Sequence, residues 1–225
     1  MSTHETLPFQ FIVPEIISET PRWLVVSKPS GWLTIPGRDS QQPDIAPAPV
    51  LSEWAKQNFP SLYVVHRLDR ETSGIVLFAR TVEDHQQANL WFQNRKVKKT
   101  YHCLAQGRPS TPILKINLPI AGASSITQVE VKESYTEGFL AQVLPRTGRR
   151  HQIRIHLSKN GFPIWGDTHY SGPREITLGN STLTIPRVAL HASSLELPSG
   201  ETFKATFPPD FAFWLVQLRK EGHRV

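Results

Sequence analysis

The sequence predicts a mixed α/β fold of the α+β kind, with a central, mainly antiparallel sheet and flanking helices and loops. Three observations predict it. Short runs of Val, Ile, Leu and aromatic residues outnumber stretches with helical spacing. Successive runs are joined by short turns, which favours antiparallel pairing. No shift in composition marks a second domain, and 225 residues suit one.

The elements follow in order. Trp23 to Lys28 reads as a short buried strand, closed by the turn residues Pro29-Ser30-Gly31. Residues 36–49, rich in Pro, Gln and Asp, read as a loop. Val50, Leu51, Trp54, Ala55 and Phe59 fall at helical spacing, and Pro60 stops that helix. The apolar runs 62–65 and 75–79 flank a polar loop, and the second, β-branched and aromatic, reads as a central strand. Thr81 to Asp84 resembles a capping box with Asp in place of Glu, opening a helix that runs to about Asn94. The basic cluster Arg95, Lys96, Lys98 and Lys99 follows, then a strand over 100–105. Strands are expected at 126–133 and 138–144, with Glu137-Gly138 in the turn between them. A helix is expected over 149–158, ending near Asn160-Gly161. A late strand over 188–197 and a closing helix over 211–218 complete the reading.

Composition narrows the function. The net charge is +6 and the pI about 9.6, which suits an anionic partner such as nucleic acid. The lone Cys103 leaves no internal disulfide framework and no multi-cysteine zinc site. The N-terminus lacks the basic-then-apolar pattern of a secretory signal, and the apolar runs fall far short of the roughly 20 residues a membrane span needs. A soluble, cytoplasmic protein without a membrane partner is the expectation. No phosphate-binding loop, dinucleotide fingerprint, HExxH or G-x-S-x-G occurs, and the nine histidines fall in no metal-ligand spacing. No metal and no cofactor are expected.

Three places hold candidate chemistry. Asp69 sits in the polar loop between two core-bound runs, with Arg67 and Arg70 beside it in sequence. An ionised carboxylate there would serve as nucleophile or general base; equally, it would be a turn aspartate bonded to Thr72, Ser73 and backbone amides. The segment from Arg146 to His156 carries four arginines within nine residues. On a helix these do not form one solvated stripe, so some must face inward and need an acidic partner, for which Asp69 or Asp167 would serve. A basic surface helix is the plainer reading. Tyr101, after the basic cluster, is a core residue or a stacking platform for a base.

These residues also carry a family resemblance. His66-Arg67-Leu68-Asp69-Arg70-Glu71-Thr72-Ser73-Gly74 is similar to the central motif of the RluA-like RNA pseudouridine synthases. Lys28-Pro29-Ser30-Gly31, Lys99-Thr100-Tyr101, the segment Thr147 to His156, Pro163 to Asp167 and Leu190-His191-Ala192 resemble further family signatures in the family's order. The resemblance spans about residues 23–210. It implies a pseudouridine synthase fold with a cleft across the sheet, and an isomerase that converts uridine in structured RNA, rRNA or tRNA, to pseudouridine without a cofactor. It implies Asp69 as the catalytic aspartate, Tyr101 packed on the target base and Arg154 paired with the aspartate. Arg67 would help hold the nucleotide out of the stack, and Ile153 would line the pocket; Arg149 and Thr72 join them as substrate-binding positions. A single catalytic domain over 1–225, with no separate N-terminal RNA-binding domain, is expected, acting as a monomer with no obligatory protein partner. Tyr170-Ser171-Gly172 departs from the family pattern by one extra residue, and no role is carried onto Tyr170. A non-catalytic RNA-binding module or RNA chaperone on the same scaffold is the alternative; a glycoside or nucleoside hydrolase is a weaker third.

Overall fold

The computed structural model describes residues 13–37 and 48–225, so most of the loop expected at 36–49 lies outside the described residues. In chain order the elements are β1 (Glu15–Glu19), β2 (Trp23–Lys28), α1 (Leu51–Asn58), β3 (Tyr63–Val64), β4 (Ser73–Ala79), α2 (Val82–Gln93), β5 (Lys98–Ala105), β6 (Ile113–Asn117), β7 (Ile126–Tyr135), β8 (Gly138–Pro145), α3 (Gln152–Lys159), β9 (Glu175–Leu178), β10 (Ser181–Thr184), β11 (Leu190–Glu196), β12 (Thr202–Lys204) and α4 (Pro209–Glu221). A 3-10 turn, Thr168–Tyr170, lies between α3 and β9.

One large sheet runs in the order β1-β2-β4-β11-β5-β8-β7-β6, with β3 attached to β4 and β12 to β11. Strands β9 and β10 form a separate hairpin. All pairs in the large sheet are antiparallel except β4 with β11. That parallel pair sets Gly74 opposite Ala192. Gly74 has φ 114°, and a Cβ there would collide with the Ala192 carbonyl, so only glycine lets the two strands meet.

The alternation of β2 and β4 explains why both read as continuous apolar runs. Trp23, Val25, Ile75, Leu77 and Ala79 face one side, where Ala88 of α2 packs. Leu24, Val26, Val76 and Phe78 face the other, against Leu51 and Ala55 of α1. Strands covered on both faces lose the polar half of the period-2 pattern. A third cluster joins β5, β8 and β11 to Leu157 of α3 and to Phe211, Trp214, Leu215 and Leu218 of α4. Tyr101 packs at the seam, touching both this cluster and the one under α1.

Helix α2 starts as its capping pattern predicts. The Asp84 amide donates to Thr81 Oγ1 at 3.1 Å, and the Thr81 hydroxyl donates back to Asp84 Oδ2 at 3.0 Å. Helix α4 starts earlier than expected because Pro209 occupies its first turn, where a missing N–H costs nothing. The helix expected over 149–158 is the clearest correction. It begins only at Gln152, since His151 adopts a left-handed conformation (φ 53°, ψ 23°) and turns the chain. Arg149 and Arg150 therefore belong to an exposed turn, not to the helix. Strands β1, β6, β9, β10 and β12 have no counterpart in the sequence reading. All are three to five residues long and half exposed, so their apolar signal is weak.

Candidate active site

Asp69 lies on the loop between β3 and β4, and that loop is held from below by residues of the Lys28-to-Thr34 segment. Lys28 is fully buried, and its ammonium donates to the carbonyls of Pro29, Trp32 and Arg70 at 2.9, 2.8 and 3.0 Å. Burial pushes its pKa well below the ordinary lysine value. The Ser30 hydroxyl donates to the Glu71 carbonyl at 2.8 Å. Thr34 Oγ1 accepts from the Leu68 amide at 3.1 Å and donates to its carbonyl at 3.2 Å. Within the loop, the Thr72 amide donates to the Asp69 carbonyl at 3.1 Å and closes a turn. The result fixes the backbone on both sides of the carboxylate.

The opposite wall is the segment from Thr147 to His156, whose residues divide into two jobs. Gln152 is buried and makes four bonds. Its Oε1 accepts from the Thr147 hydroxyl (2.6 Å) and the Arg149 amide (3.0 Å); its Nε2 donates to the Ile126 carbonyl (3.0 Å) and Thr127 Oγ1 (2.9 Å). His156, also buried, spans Thr127 Oγ1 at 2.8 Å and the Leu118 carbonyl at 3.0 Å. These two knit α3 to β7 and share the Thr127 hydroxyl, so that both buried side chains are satisfied. His151, Ile153 and Arg154 are left to face the cleft.

Arg154 is the inward arginine that the sequence pattern requires. Its Nε and one terminal nitrogen make a bidentate pair with Asp167, both bonds at 2.7 Å, with side-chain exposures of 7% and 1%. Its other terminal nitrogen reaches to 3.7 Å from Asp69 Oδ2. Both candidate acids are thus beside it, Asp167 as the tight partner. Burial opposes the guanidinium charge, but the bonds to Asp167 and the charges of Asp167, Asp69 and Glu71 outweigh it, so the net shift is upward. His151 Nε2 stands 3.7 Å from the other Asp69 oxygen. The side-chain nitrogen neighbours of Asp69 within 4 Å, the Arg154 guanidinium and the His151 imidazole, therefore come from the α3 segment, not from Arg67 and Arg70 beside it in sequence. Arg70 instead directs its Nε to the Gly31 carbonyl at 3.3 Å.

The cleft between these walls holds about 280 Å³ of free space, near the roughly 300 Å³ lower bound for small-molecule pockets. Arg67, Asp69, Thr72, Tyr101, Arg149, Ile153 and Arg154 all line it. All seven positions singled out from the sequence thus come together. Arg67 and Arg149 are exposed at the rim; Thr72, Ile153 and Arg154 are buried. Burial and the Asp69 charge hold the Tyr101 phenol protonated, with its pKa raised. His66 stacks on Phe92 at 5.0 Å, and its Nε2 accepts the Leu77 amide at 3.1 Å. Burial, helped by Lys99, lowers the His66 pKa to about 3, so it stays neutral. Lys99 donates to the Thr147 carbonyl at 3.2 Å, and burial lowers its pKa as well.

Two cleft neighbours lie in segments that carry the family resemblance, yet the sequence assigns neither a role. His151 has no periodic signal because it is the residue that breaks the helix. Tyr170 sits in the irregular Tyr170-Ser171-Gly172 loop, yet its hydroxyl lies 2.9 Å from His151 Nδ1 and its ring lies 5.1 Å from the Arg154 guanidinium. Among the described residues no cluster of three or more His, Cys, Asp or Glu side chains has the geometry to hold a metal ion, and no helix is long and apolar enough to cross a membrane.

Comparison with known proteins agrees with this architecture. Residues 22–159 match the family model described as RNA pseudouridylate synthase. The chain is 30% identical to a ribosomal large subunit pseudouridine synthase D of Pseudomonas aeruginosa, over 94% of this chain and 73% of that one. It is 32% identical to a dual-specificity RNA pseudouridine synthase RluA of Escherichia coli K12, over 84% of this chain and 90% of that one. Among solved structures, human RNA pseudouridylate synthase domain containing 4 superposes with a TM-score of 0.71 at 22% identity, covering 91% of this chain and 92% of that one. The corresponding human protein numbered 1 gives 0.70 at 23% identity, covering 98% and 92%; both show that the fold is shared. The chain belongs to the RluA-like RNA pseudouridine synthases, isomerases that modify RNA.

Proposed function

We propose that the protein converts a specific uridine of a structured RNA to pseudouridine, with Asp69 as the catalytic carboxylate. The reaction breaks the N1–C1′ bond, turns the uracil and joins C5 to C1′. The C5 proton is lost and N1 gains one, so atoms and electrons balance without an oxidant or a cofactor. A carboxylate beside a sugar that develops oxocarbenium character has a parallel in glycoside hydrolysis. Asp69 supplies that charge, Arg154 aims it, and Tyr101 with Ile153 encloses the base and keeps water away from it.

The observation that carries this reading is the convergence of one carboxylate, a buried guanidinium 3.7 Å away and the Tyr101 ring in one cleft. A pure RNA-binding module has no use for a carboxylate in a cleft meant for phosphates. A uridine in a helix must be extruded to reach the cleft, at a cost of a few kcal/mol. Arg67 at the rim takes the place left in the stack; Arg149, Arg150 and the cluster from Arg95 to Lys99 contact phosphates and offset that cost. Thr72 contributes from the cleft wall.

One relative is named for the ribosomal large subunit, and another is called a dual-specificity RNA pseudouridine synthase. The substrate proposed here is accordingly rRNA or tRNA. The protein is proposed to act in the cytoplasm as a monomer, in one catalytic domain, without an obligatory partner protein. Mapping pseudouridines in total RNA from cells with and without the gene tests the reading. Loss of one or a few sites in rRNA or tRNA is expected, and an unchanged map contradicts it.

A further inference from the structure

Asp69 is flanked by two nitrogen donors, not one. Arg154 stands 3.7 Å from Oδ2 and His151 Nε2 stands 3.7 Å from Oδ1. Each lies just beyond hydrogen-bond range, as apo sites often do before substrate tightens them. The backbone at His151 is left-handed, an unfavourable state for a histidine, and such strain persists only where the surroundings enforce it. Here it aims the imidazole into the cleft instead of along α3. The other ring nitrogen, Nδ1, meets the Tyr170 hydroxyl at 2.9 Å. Tyr170 also places its ring against the Arg154 guanidinium, so one side chain braces both donors.

We infer that His151 is a positioning residue for the Asp69 carboxylate, with its tautomer set by Tyr170. The inference rests on the proposed catalytic role of Asp69. The Tyr170 hydroxyl donates to Nδ1, which leaves the proton on Nε2, facing Asp69. Burial lowers the His151 pKa, with Arg154, Arg150 and His169 adding to the effect and Asp69 opposing it. The ring is therefore a neutral donor at physiological pH, and it orients the carboxylate without quenching its charge. Two donors on two oxygens fix the plane of a carboxylate; one leaves it free to rotate.

Two substitutions separate this role from a backbone role. In His151→Gln the amide nitrogen keeps the reach of Nε2 toward Asp69. In His151→Asn the side chain tolerates the left-handed backbone better but stops at the level of Nδ1. The probe is C5-tritiated total RNA from cells lacking the gene, with enzyme in excess; tritium release gives the single-turnover rate, and filter retention gives RNA affinity. The expected rates run wild type, then Gln, then Asn, with Asn at least 10-fold below wild type and affinity within about 2-fold. Tyr170→Phe is expected to slow release at least 3-fold at unchanged affinity. The inference is overturned if Asn is as fast as Gln or faster, if Tyr170→Phe keeps the wild-type rate, or if the losses lie in affinity alone. Asp69→Asn runs alongside: an inactive Asp69→Asn with Asn at least as fast as Gln defeats the His151 role only, whereas an active Asp69→Asn defeats the catalytic reading and this inference with it.

Discussion

Replacing Asp167 by Asn tests what holds Arg154 in place. The pair is nearly sealed from water and makes two 2.7 Å bonds. Removing one charge from a buried pair typically costs about 3–5 kcal/mol. Asn keeps one carbonyl to accept a bond, and Asp69 remains 3.7 Å from the guanidinium, so the lower end, about 3 kcal/mol, is expected. For a chain of this size 1 kcal/mol moves Tm by roughly 2–4 °C, so Asp167→Asn is expected to melt about 6–12 °C lower. Well below that Tm the variant still folds, but its guanidinium has lost one fork. The turnover of tritiated RNA is then expected to fall at least 10-fold, with RNA affinity little changed. Arg187 and Asp210 form a similar bidentate pair at 2.6 and 2.7 Å, yet Asp210, in the first turn of α4, is 31% exposed, and neither residue lines the cleft. Asp210→Asn is the control. Solvent screening reduces its cost to about 1–2 kcal/mol, and turnover is expected to be unaffected. Thermal unfolding and turnover measured on both variants decide the matter. A change under 2 °C together with a rate within 2-fold for Asp167→Asn refutes the claim that Asp167 holds and aims Arg154.

Three further outcomes follow from the same structure. Lys28→Met removes three hydrogen bonds, one to the Arg70 carbonyl in the loop that carries Asp69 and two to the Pro29 and Trp32 carbonyls of the segment that supports it; it is expected to lower turnover more than RNA affinity, and equal losses in both contradict the anchoring role. His191 is buried, and burial lowers its pKa to about 4 from 6.5. The unfolded chain then binds the extra proton between those values, so its contribution is intact above pH 6.5 and is lost as pH falls toward 4. Denaturant unfolding is expected to show about 2 kcal/mol of this loss by pH 5, and a His191→Gln variant is expected to show a shallower acid slope. Arg149→Gln combined with Arg150→Gln is expected to weaken RNA binding and lower the salt slope by about 1 for each phosphate no longer neutralised, with the rate at saturating enzyme retained; an unchanged slope places the phosphates elsewhere.

What the sequence makes legible depends on how local the signal is. Strands β2 and β4 stand out because both faces are buried, which leaves uninterrupted apolar runs. Helix α2 stands out because Thr81 and Asp84 form a reciprocal cap within four residues. The start of α3 does not, because a left-handed His151 leaves no trace in hydrophobic periodicity. That hidden turn moves Arg149 and Arg150 to the exposed rim while Arg154 stays inside. An inward arginine follows from the crowding of charge between 146 and 154, but the choice between Asp69 and Asp167 depends on where the Pro163-to-Asp167 segment returns in space. Tyr170 is invisible for the same reason. Its interactions with His151 and Arg154 bridge 19 and 16 positions of sequence, and its own loop departs from the expected spacing. The short edge strands and the β9–β10 hairpin bury too little apolar surface to mark themselves.

The central claim is that the carboxylate of Asp69 carries the reaction while the surrounding cations only bind and orient. Asp69→Asn preserves the shape of the side chain and removes its charge. Incubated with C5-tritiated RNA from cells lacking the gene, the variant is expected to retain the RNA on filters as wild type does and to release no tritium above background. Tritium release at the wild-type rate contradicts the account.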